Sequence, residues 1–318
     1  PFVIAAGLYR PHLDWVVPQE FFDLYDRDSL TVPFFGDPED EADFYYALTG
    51  AEFHQQVLAE DAWLDLIQAY FASVSYADYM FGQMIDALDA SENANDTNVV
   101  LWSDNGYHLG DRGLWTKFTL WEEAARVPLI IRTAGQTESQ TIDTVVSLID
   151  IHATILELAG TTSPTGTSSQ SLVPLLEGRP EDFDARGALT WMYGGISYRT
   201  DDFRYIRQED GVESFFDITN DPHQLNNLID NVEFAAIIQE HRDAIPAQLE
   251  THELFLGSAG NDTLVGTDGA DLFILGPGDD SVIGGAGDDI YVVRGTLSLR
   301  EEVGGGRDTI LTSQSYST

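Results

Sequence analysis

Leu101-Trp102-Ser103-Asp104-Asn105-Gly106-Tyr107-His108-Leu109-Gly110-Asp111-Arg112-Gly113-Leu114-Trp115-Thr116-Lys117 is the stretch on which the reading of this chain turns. It starts in a strand-sized apolar run and breaks into a polar, Gly-rich loop. Read alone, Asp-Asn-Gly is a common turn. At the end of a strand it also sets one charged and one neutral oxygen side by side, a pair suited to a hard cation such as calcium. Lys117 stands out for another reason. It is the single lysine of the chain, and every other one of the 15 basic residues is arginine. A compact ammonium and a planar guanidinium differ in size, hydration and capacity for proton transfer, so this position is marked.

Outward from this stretch, three short apolar runs at residues 2–6, 98–102 and 127–131 each end in a polar loop. Apolar residues at helical spacing (Leu66, Tyr70, Val74, Met84, Leu88) predict a helix over about 59–90. A second is predicted over about 144–158, ending at Gly160 as a C-cap. Strands alternating with helices argue for an α/β sheet covered by helices, with ligands beyond the carboxyl ends of strands. Residues 165–170 read as a loop, and 189–218 as short antiparallel strands broken by turns. A closing helix is expected over about 232–250, with Pro246 interrupting it.

From Gly257 the chain repeats in nine-residue units, beginning Gly257-Ser258-Ala259-Gly260-Asn261-Asp262-Thr263-Leu264-Val265, with three more in phase. Each unit places Gly fourth, Asp sixth (Asp262, Asp271, Asp280, Asp289) and a large apolar residue eighth (Leu264, Phe273, Val282, Tyr291). Glycine permits the tight turn, Asp supplies an anionic oxygen, and the apolar residue faces inward. One turn cannot supply the six to eight oxygens calcium prefers, but stacked turns can. The segment resembles the RTX parallel β-roll, which implies calcium between alternate turns, pairing Asp262 with Asp280 and Asp271 with Asp289. The third unit departs from the pattern with Leu275 and Pro277. Such tails imply type I secretion and folding in extracellular calcium.

The loop resembles the sulfatase family. Ser103-Asp104-Asn105-Gly106 after a strand, a Gly-rich turn, Lys117, then Glu122-Glu123-Ala124-Ala125-Arg126-Val127-Pro128 form a long signature. Leu8-Tyr9-Arg10-Pro11-His12 with Pro18-Gln19-Glu20-Phe21 is similar to the iduronate-2-sulfatase branch. Ser147-Leu148-Ile149-Asp150 and Phe216-Asp217-Ile218-Thr219-Asn220-Asp221-Pro222 extend the likeness to about residue 250. The resemblance implies that Asp104 and Asn105 complete a calcium site, and that His12 and Lys117 meet the sulfate as catalytic residues. It sets Arg10, where many relatives carry lysine, at the substrate. His108 is read as a further substrate contact or as a structural residue, and His152 as structural.

Sulfatases use a formylglycine made from a Cys/Ser-x-Pro-x-Arg motif. The chain has no cysteine and no serine in that pattern, so the resemblance places the nucleophile upstream. The chain, opening at Pro1 without Met, reads as a carboxy-terminal piece without turnover of its own. The expected fold is an incomplete alkaline-phosphatase-like α/β sandwich over 1–185, an antiparallel subdomain with a closing helix over 186–250, and a truncated calcium-binding β-roll over 251–318. The expected reaction is hydrolysis of a sulfate ester on a sulfated sugar or polysaccharide outside the cell. Two alternatives stay open: a phosphodiesterase or phosphonate hydrolase of the same superfamily, and a non-catalytic calcium-dependent surface protein.

Composition bounds these readings. With 54 acidic against 15 basic residues the formal net charge is −39, which argues against nucleic acid and anionic membranes as partners. No apolar run approaches the roughly 18 residues of a membrane span. Without cysteine, a secreted protein must rely on its core and on metal.

Overall fold

The computed structural model describes residues 2–32, 51–161, 169–192, 195–208, 211–248, 253–258, 260–276, 278–293, 295–301 and 305–312. The chain forms two compact units, residues 1–140 and 141–318.

The first unit is built on helix. α1 (Gln19–Phe22) leads to α2 (Ala51–Ala59) and the long α3 (Trp63–Asp89). The helix expected over about 59–90 is α3, with α2 preceding it and Asp61 at a positive φ of 53° between the two. Phe21 of α1 packs edge-on against Tyr76 of α3, ring centroids 5.1 Å apart. β1 (Val99–Trp102), followed by the short α4 (Glu122–Ala125), pairs antiparallel with β2 (Leu129–Arg132), Val99 opposite Arg132 and Trp102 opposite Leu129. β2 starts later than the apolar run predicts because Pro128 has no N–H to give the ladder. Its carbonyl still accepts from Ser103 N at 3.3 Å.

Residues 2–6 are not the buried strand their composition predicts. They carry no strand, and Val3 and Ile4 are 84% and 77% exposed. A strand exists through the hydrogen bonds of its neighbours, and among the described residues none pairs with this run.

In the second unit, α5 (Asp150–Leu158) is shorter than the predicted 144–158. It starts where the buried Asp150 carboxylate takes the N–H groups of Ser147 and Gln170. It ends as predicted. Gly160 has φ 75° and its N–H bonds Glu157 O, while Thr161 N bonds Leu156 O at 2.9 Å, a Schellman closure. The short α6 (Val173–Leu176) follows.

β3 (Ala188–Met192), β4 (Gly195–Arg199), β5 (Phe203–Arg207) and β6 (Glu213–Asp217) form the expected antiparallel meander. A 3₁₀ turn at Val232–Phe234 opens the closing helix α7 (Ala235–Gln248), whose Ile238 and Ile245 bury against Ile196, Tyr198, Tyr205 and Phe215. Pro246 falls in the last turn and does not interrupt it.

The remainder is two parallel sheets. β7 (Glu253–Leu256), β9 (Asp271–Ile274), β11 (Ile290–Val293) and β13 (Thr309–Thr312) form one. β8 (Thr263–Val265), β10 (Asp279–Ile283) and β12 (Thr296–Arg300) form the other, so successive strands alternate between sheets. Each nine-residue unit supplies one strand and one turn, which places like positions of alternate units opposite one another. Phe255 pairs Phe273 and Phe273 pairs Tyr291. Their rings stack with centroids 4.8 and 5.0 Å apart, the spacing of the strands themselves. Phe273, Val282 and Tyr291 are fully buried in this core. The eighth-position residues face inward as the repeat predicts.

Candidate active site and calcium-repeat carboxylates

The loop leaving β1 folds back on itself. Gly106 N donates to Ala124 O at 2.7 Å, His108 N to Thr116 O at 2.8 Å and Gly110 N to Leu114 O at 2.8 Å. The tip turns through Gly110 (φ 95°), Arg112 (φ 52°) and Gly113 (φ 70°). Gly110 has a second constraint, since a Cβ there would lie 2.5 Å from the Trp63 ring. Tyr107 OH donates to Trp115 O at 2.9 Å, and the Arg112 guanidinium lies 3.9 Å from the centre of the Trp121 ring. The result is a closed double arm, with Asp104 and Asn105 on its first limb and Lys117 on its second. Asp104 is exposed, and Asn105 and Lys117 are half-buried.

The segment bearing Arg10 and His12 joins the same core through Trp15. The Trp15 indole donates to Pro11 O at 2.8 Å, and its ring meets Tyr70 and Tyr107 edge-on at 5.5 and 5.7 Å. Trp15 and Trp115 are buried in one cluster with Val57. Arg10 is turned back onto its own segment, donating to His12 O and Val16 O at 3.0 and 3.1 Å. His12 is exposed, with Nδ1 2.7 Å from Leu13 O.

His108 is placed differently from the substrate contact expected of it. It is fully buried. Its Nδ1 lies 2.5 Å from Asp111 Oδ2 and its Nε2 2.7 Å from Thr119 Oγ1. Asp111 Oδ1 also accepts Leu109 N at 3.0 Å; an ionised carboxylate can only accept, so it pairs with the tautomer that carries the proton on Nδ1. Both ring nitrogens are thus engaged by protein groups, the structural alternative of the sequence reading. Glu123 closes the cluster. The carboxylates of Glu123 and Asp111 and the His108 imidazole present ligand-type atoms within 4.8 Å of one another. Burial pushes the Glu123 carboxyl up, and the Asp111 charge adds to that rise. Asp111, Thr119 and Glu123 escaped the sequence reading, although an Asp three residues after a His in a Gly-rich turn was a usable signal.

In the repeats, the Asp backbone of one unit meets the Asp carboxylate two units on. Asp262 N donates to Asp280 Oδ1 at 3.0 Å and Asp271 N to Asp289 Oδ1 at 2.8 Å. Asp271, Asp280 and Asp289 are buried, and Asp280 Oδ2 has no hydrogen-bond partner. Burial pushes the carboxyls of Asp280 and Asp289 up. An all-oxygen donor set with an unsatisfied buried carboxylate oxygen fits a hard cation. The series runs one step beyond the four units. Asp289 N donates to Asp308 Oδ1 at 3.1 Å, and Glu301 joins Asp289 and Asp308 in a three-carboxylate group. Gly306-Arg307-Asp308-Thr309-Ile310 repeats the Gly, Asp and apolar spacing of the units, one residue out of phase, and escaped the sequence reading.

A mixed α/β unit whose strand-end loop offers two oxygens and an ammonium has the make-up of a metal-assisted hydrolase, and comparison with known proteins specifies the kind. The sulfatase family model matches residues 1–161, and a model described as N-sulphoglucosamine sulphohydrolase, C-terminal, matches residues 110–251. The RTX calcium-binding nonapeptide repeat matches residues 256–291. A sulfatase of Formosa agariphila is 33% identical over 252 residues, covering 77% of this chain and 50% of that one. The chain therefore belongs to the sulfatase family, a family of hydrolases, and carries RTX repeats.

Iduronate 2-sulfatase of Homo sapiens is 33% identical over 154 residues, 44% of this chain and 28% of that protein. It is one of several sulfatase relatives, so the branch suggested by the opening motif is not singled out. A phosphonate monoester hydrolase from Silicibacter pomeroyi superposes with a TM-score of 0.61 at 21% identity, covering 76% of this chain and 54% of that one. That likeness is one of fold, within the alkaline-phosphatase-like architecture. The chain spans about half the length of the Formosa relative.

Proposed function

We propose that this chain supplies one side of the active site of a secreted, calcium-dependent sulfatase acting on a sulfated sugar or polysaccharide, with its parallel sheets serving as a calcium-loaded β-roll. One observation carries the reading: the closed loop sets Asp104 and Asn105 on one limb and the only lysine on the other. Asp104 and Asn105 hold calcium through oxygen, and the cation when bound draws negative charge from a sulfate oxygen. The Lys117 ammonium stabilises charge developing on the sulfate and its bridging oxygen. His12 stands exposed on the neighbouring segment to meet the same group, and Arg10 orients that segment through its bonds to His12 O and Val16 O. The formylglycine nucleophile of the family belongs to sequence outside these residues.

In the β-roll, Asp262 with Asp280 and Asp271 with Asp289 hold calcium between turns. Export by a type I system and folding on meeting extracellular calcium suit a chain of net charge −39. The test uses the longer protein that contains this chain. Sulfate release from sulfated saccharides in calcium, abolished by chelator, is expected. Faster turnover of a phosphodiester or phosphonate ester would put the protein with the hydrolases of the other substrate class. Saccharide binding without any hydrolysis would leave the non-catalytic reading.

A further inference from the structure

His108 has backbone and side-chain contacts that converge on the two sides of Lys117. Its N–H bonds Thr116 O at 2.8 Å, one residue before the lysine. Its Nε2 meets Thr119 Oγ1 at 2.7 Å, two residues after it. Its Nδ1 is tied to Asp111 at the tip of the loop. Thr116 and Thr119 are themselves buried and internally bonded: Thr116 Oγ1 accepts Phe118 N at 3.1 Å, and Thr119 Oγ1 accepts Trp121 N at 3.4 Å. The first limb is pinned as well. Gly106, next to Asn105, sits so close to the helix at Glu122–Ala125 that a Cβ would lie 2.0 Å from Glu123 O.

We propose that His108 is a positioning residue, gripping Thr116 and Thr119 so that the Lys117 ammonium is held against the Asp104–Asn105 limb. The proposal rests on the reading of Lys117 as a sulfate-binding group and gives that group its means of placement. Burial explains why a polar clamp works here. With 0% exposure for His108, 4% for Asp111 and 2% for Thr119, water does not compete for these bonds. The lysine itself is on a long flexible stem, so fixing the backbone on both sides is the available way to aim it. Two other assignments fit less well. As a substrate contact, His108 would need a free ring nitrogen at the surface. As a metal ligand, it would have to surrender one of its two short side-chain bonds.

The test separates aim from stability. Thr119→Val removes the hydroxyl at nearly constant volume, and Thr119→Ser keeps it. In the longer, active protein Thr119→Val is expected to lower kcat about 10- to 100-fold, the cost of a misplacement of about 1 Å, with KM little changed. Thr119→Ser is expected to restore most of the loss. In the 318-residue chain Lys117 is the only lysine, so acylation by an activated ester, referenced to the Pro1 amine, reads its setting without any turnover. A several-fold change in that rate is expected in Thr119→Val and not in Thr119→Ser.

If Thr119→Val fails to fold, the pair His108→Gln and His108→Asn decides. Gln reaches Thr119 as Nε2 does and retains the wild-type acylation rate, while Asn reaches only Asp111 and does not. Folded Thr119→Val with wild-type acylation and kcat, or a lowered melting temperature as its sole effect, overturns the proposal. Should the longer protein hydrolyse no sulfate ester, the functional reading fails, and the acylation rates still decide the clamp.

Discussion

The loop at residues 103–128 and the parallel sheets at residues 253–312 both bury acidic side chains, and they answer the cost of doing so in different ways. In the loop, Asp111 receives an imidazole N–H and a backbone N–H, and a guanidinium lies close by. Protein groups alone satisfy Asp111, while Glu123 beside it keeps one buried oxygen without a hydrogen bond. In the sheets, Asp280 keeps an unpartnered buried oxygen, and Asp289, Glu301 and Asp308 face one another. Carboxylates arranged this way repel until a cation joins them. A region that neutralises its own charges folds on its own account, whereas a region that gathers like charges makes its folding conditional on a metal.

The largest expected effect sets the two regions directly against each other. Stripping calcium from the whole chain with a chelator should abolish amide-exchange protection across residues 253–312 while leaving residues 99–132 protected. Hydrogen exchange read by mass spectrometry measures both at once. Equal loss in the two regions, or none in either, would break the comparison.

Next in size is the aromatic ladder. Phe273→Ala should destabilise the calcium-loaded sheets by about 3–5 kcal/mol, the range for deleting a buried phenyl ring. Phe273 lies between Phe255 and Tyr291, so both stacks are lost together. Denaturant unfolding in saturating calcium, followed through the tail, is the measurement. The kinetics of the loop should not respond.

Lys117 provides the complementary change. In the longer protein, Lys117→Ala should lower kcat/KM by about 10²–10³-fold, the loss found when a group stabilising developing charge is removed. Lys117→Arg should be impaired as well, because a wide planar guanidinium does not fill an ammonium's place. Steady-state kinetics and melting temperatures of the two variants in parallel decide the point. Activity close to wild type in Lys117→Arg would reduce the role to charge alone.

The smallest effect lies in the antiparallel sheet. Arg242 donates to both oxygens of Glu213 through Nε and Nη2, and that pairing holds the Glu213 carboxyl below its usual range. A depressed carboxylate favours the fold above its unfolded pKa and ceases to do so as pH falls through the folded value. Both partners are about a third exposed, so solvent screening limits the contribution to on the order of 1 kcal/mol or less. The melting-temperature gap between wild type and Glu213→Gln should therefore close as pH falls from neutral to below the usual glutamate range. A gap that widens on acidification would contradict the sign.

Much of the candidate site was legible because its signals are short-range. Asp104 and Asn105 follow a strand and Lys117 is alone of its kind, and no tertiary knowledge was needed to single them out. The strand predicted at residues 2–6 shows the limit of such reasoning. Its apolar run is compatible with a strand, but strands are made by neighbours, and no neighbour is written in the run itself. The late start of β2 was legible in Pro128 and was passed over.

What the sequence determined by itself is whatever repeats or caps locally. The in-phase Gly, Asp and apolar positions dictate which residues of the tail point inward and which units lie side by side, since a period of nine with strands alternating between two sheets sets alternate units next to one another. Gly160 stops its helix for the same local reason, a positive φ that only a residue without Cβ adopts cheaply. Tertiary structure alone decided the place of His108. Its partners Asp111 and Thr119 lie 3 and 11 residues away, and no pattern in the chain says that the loop doubles back to bring them together. Asp308 lies between the two cases: Gly306-Arg307-Asp308-Thr309-Ile310 repeats the local pattern, but its carboxylate meets Asp289 N from 19 residues away, one residue off the period. Burial assigned both roles, because a polar group removed from water must take the partner that folding brings to it.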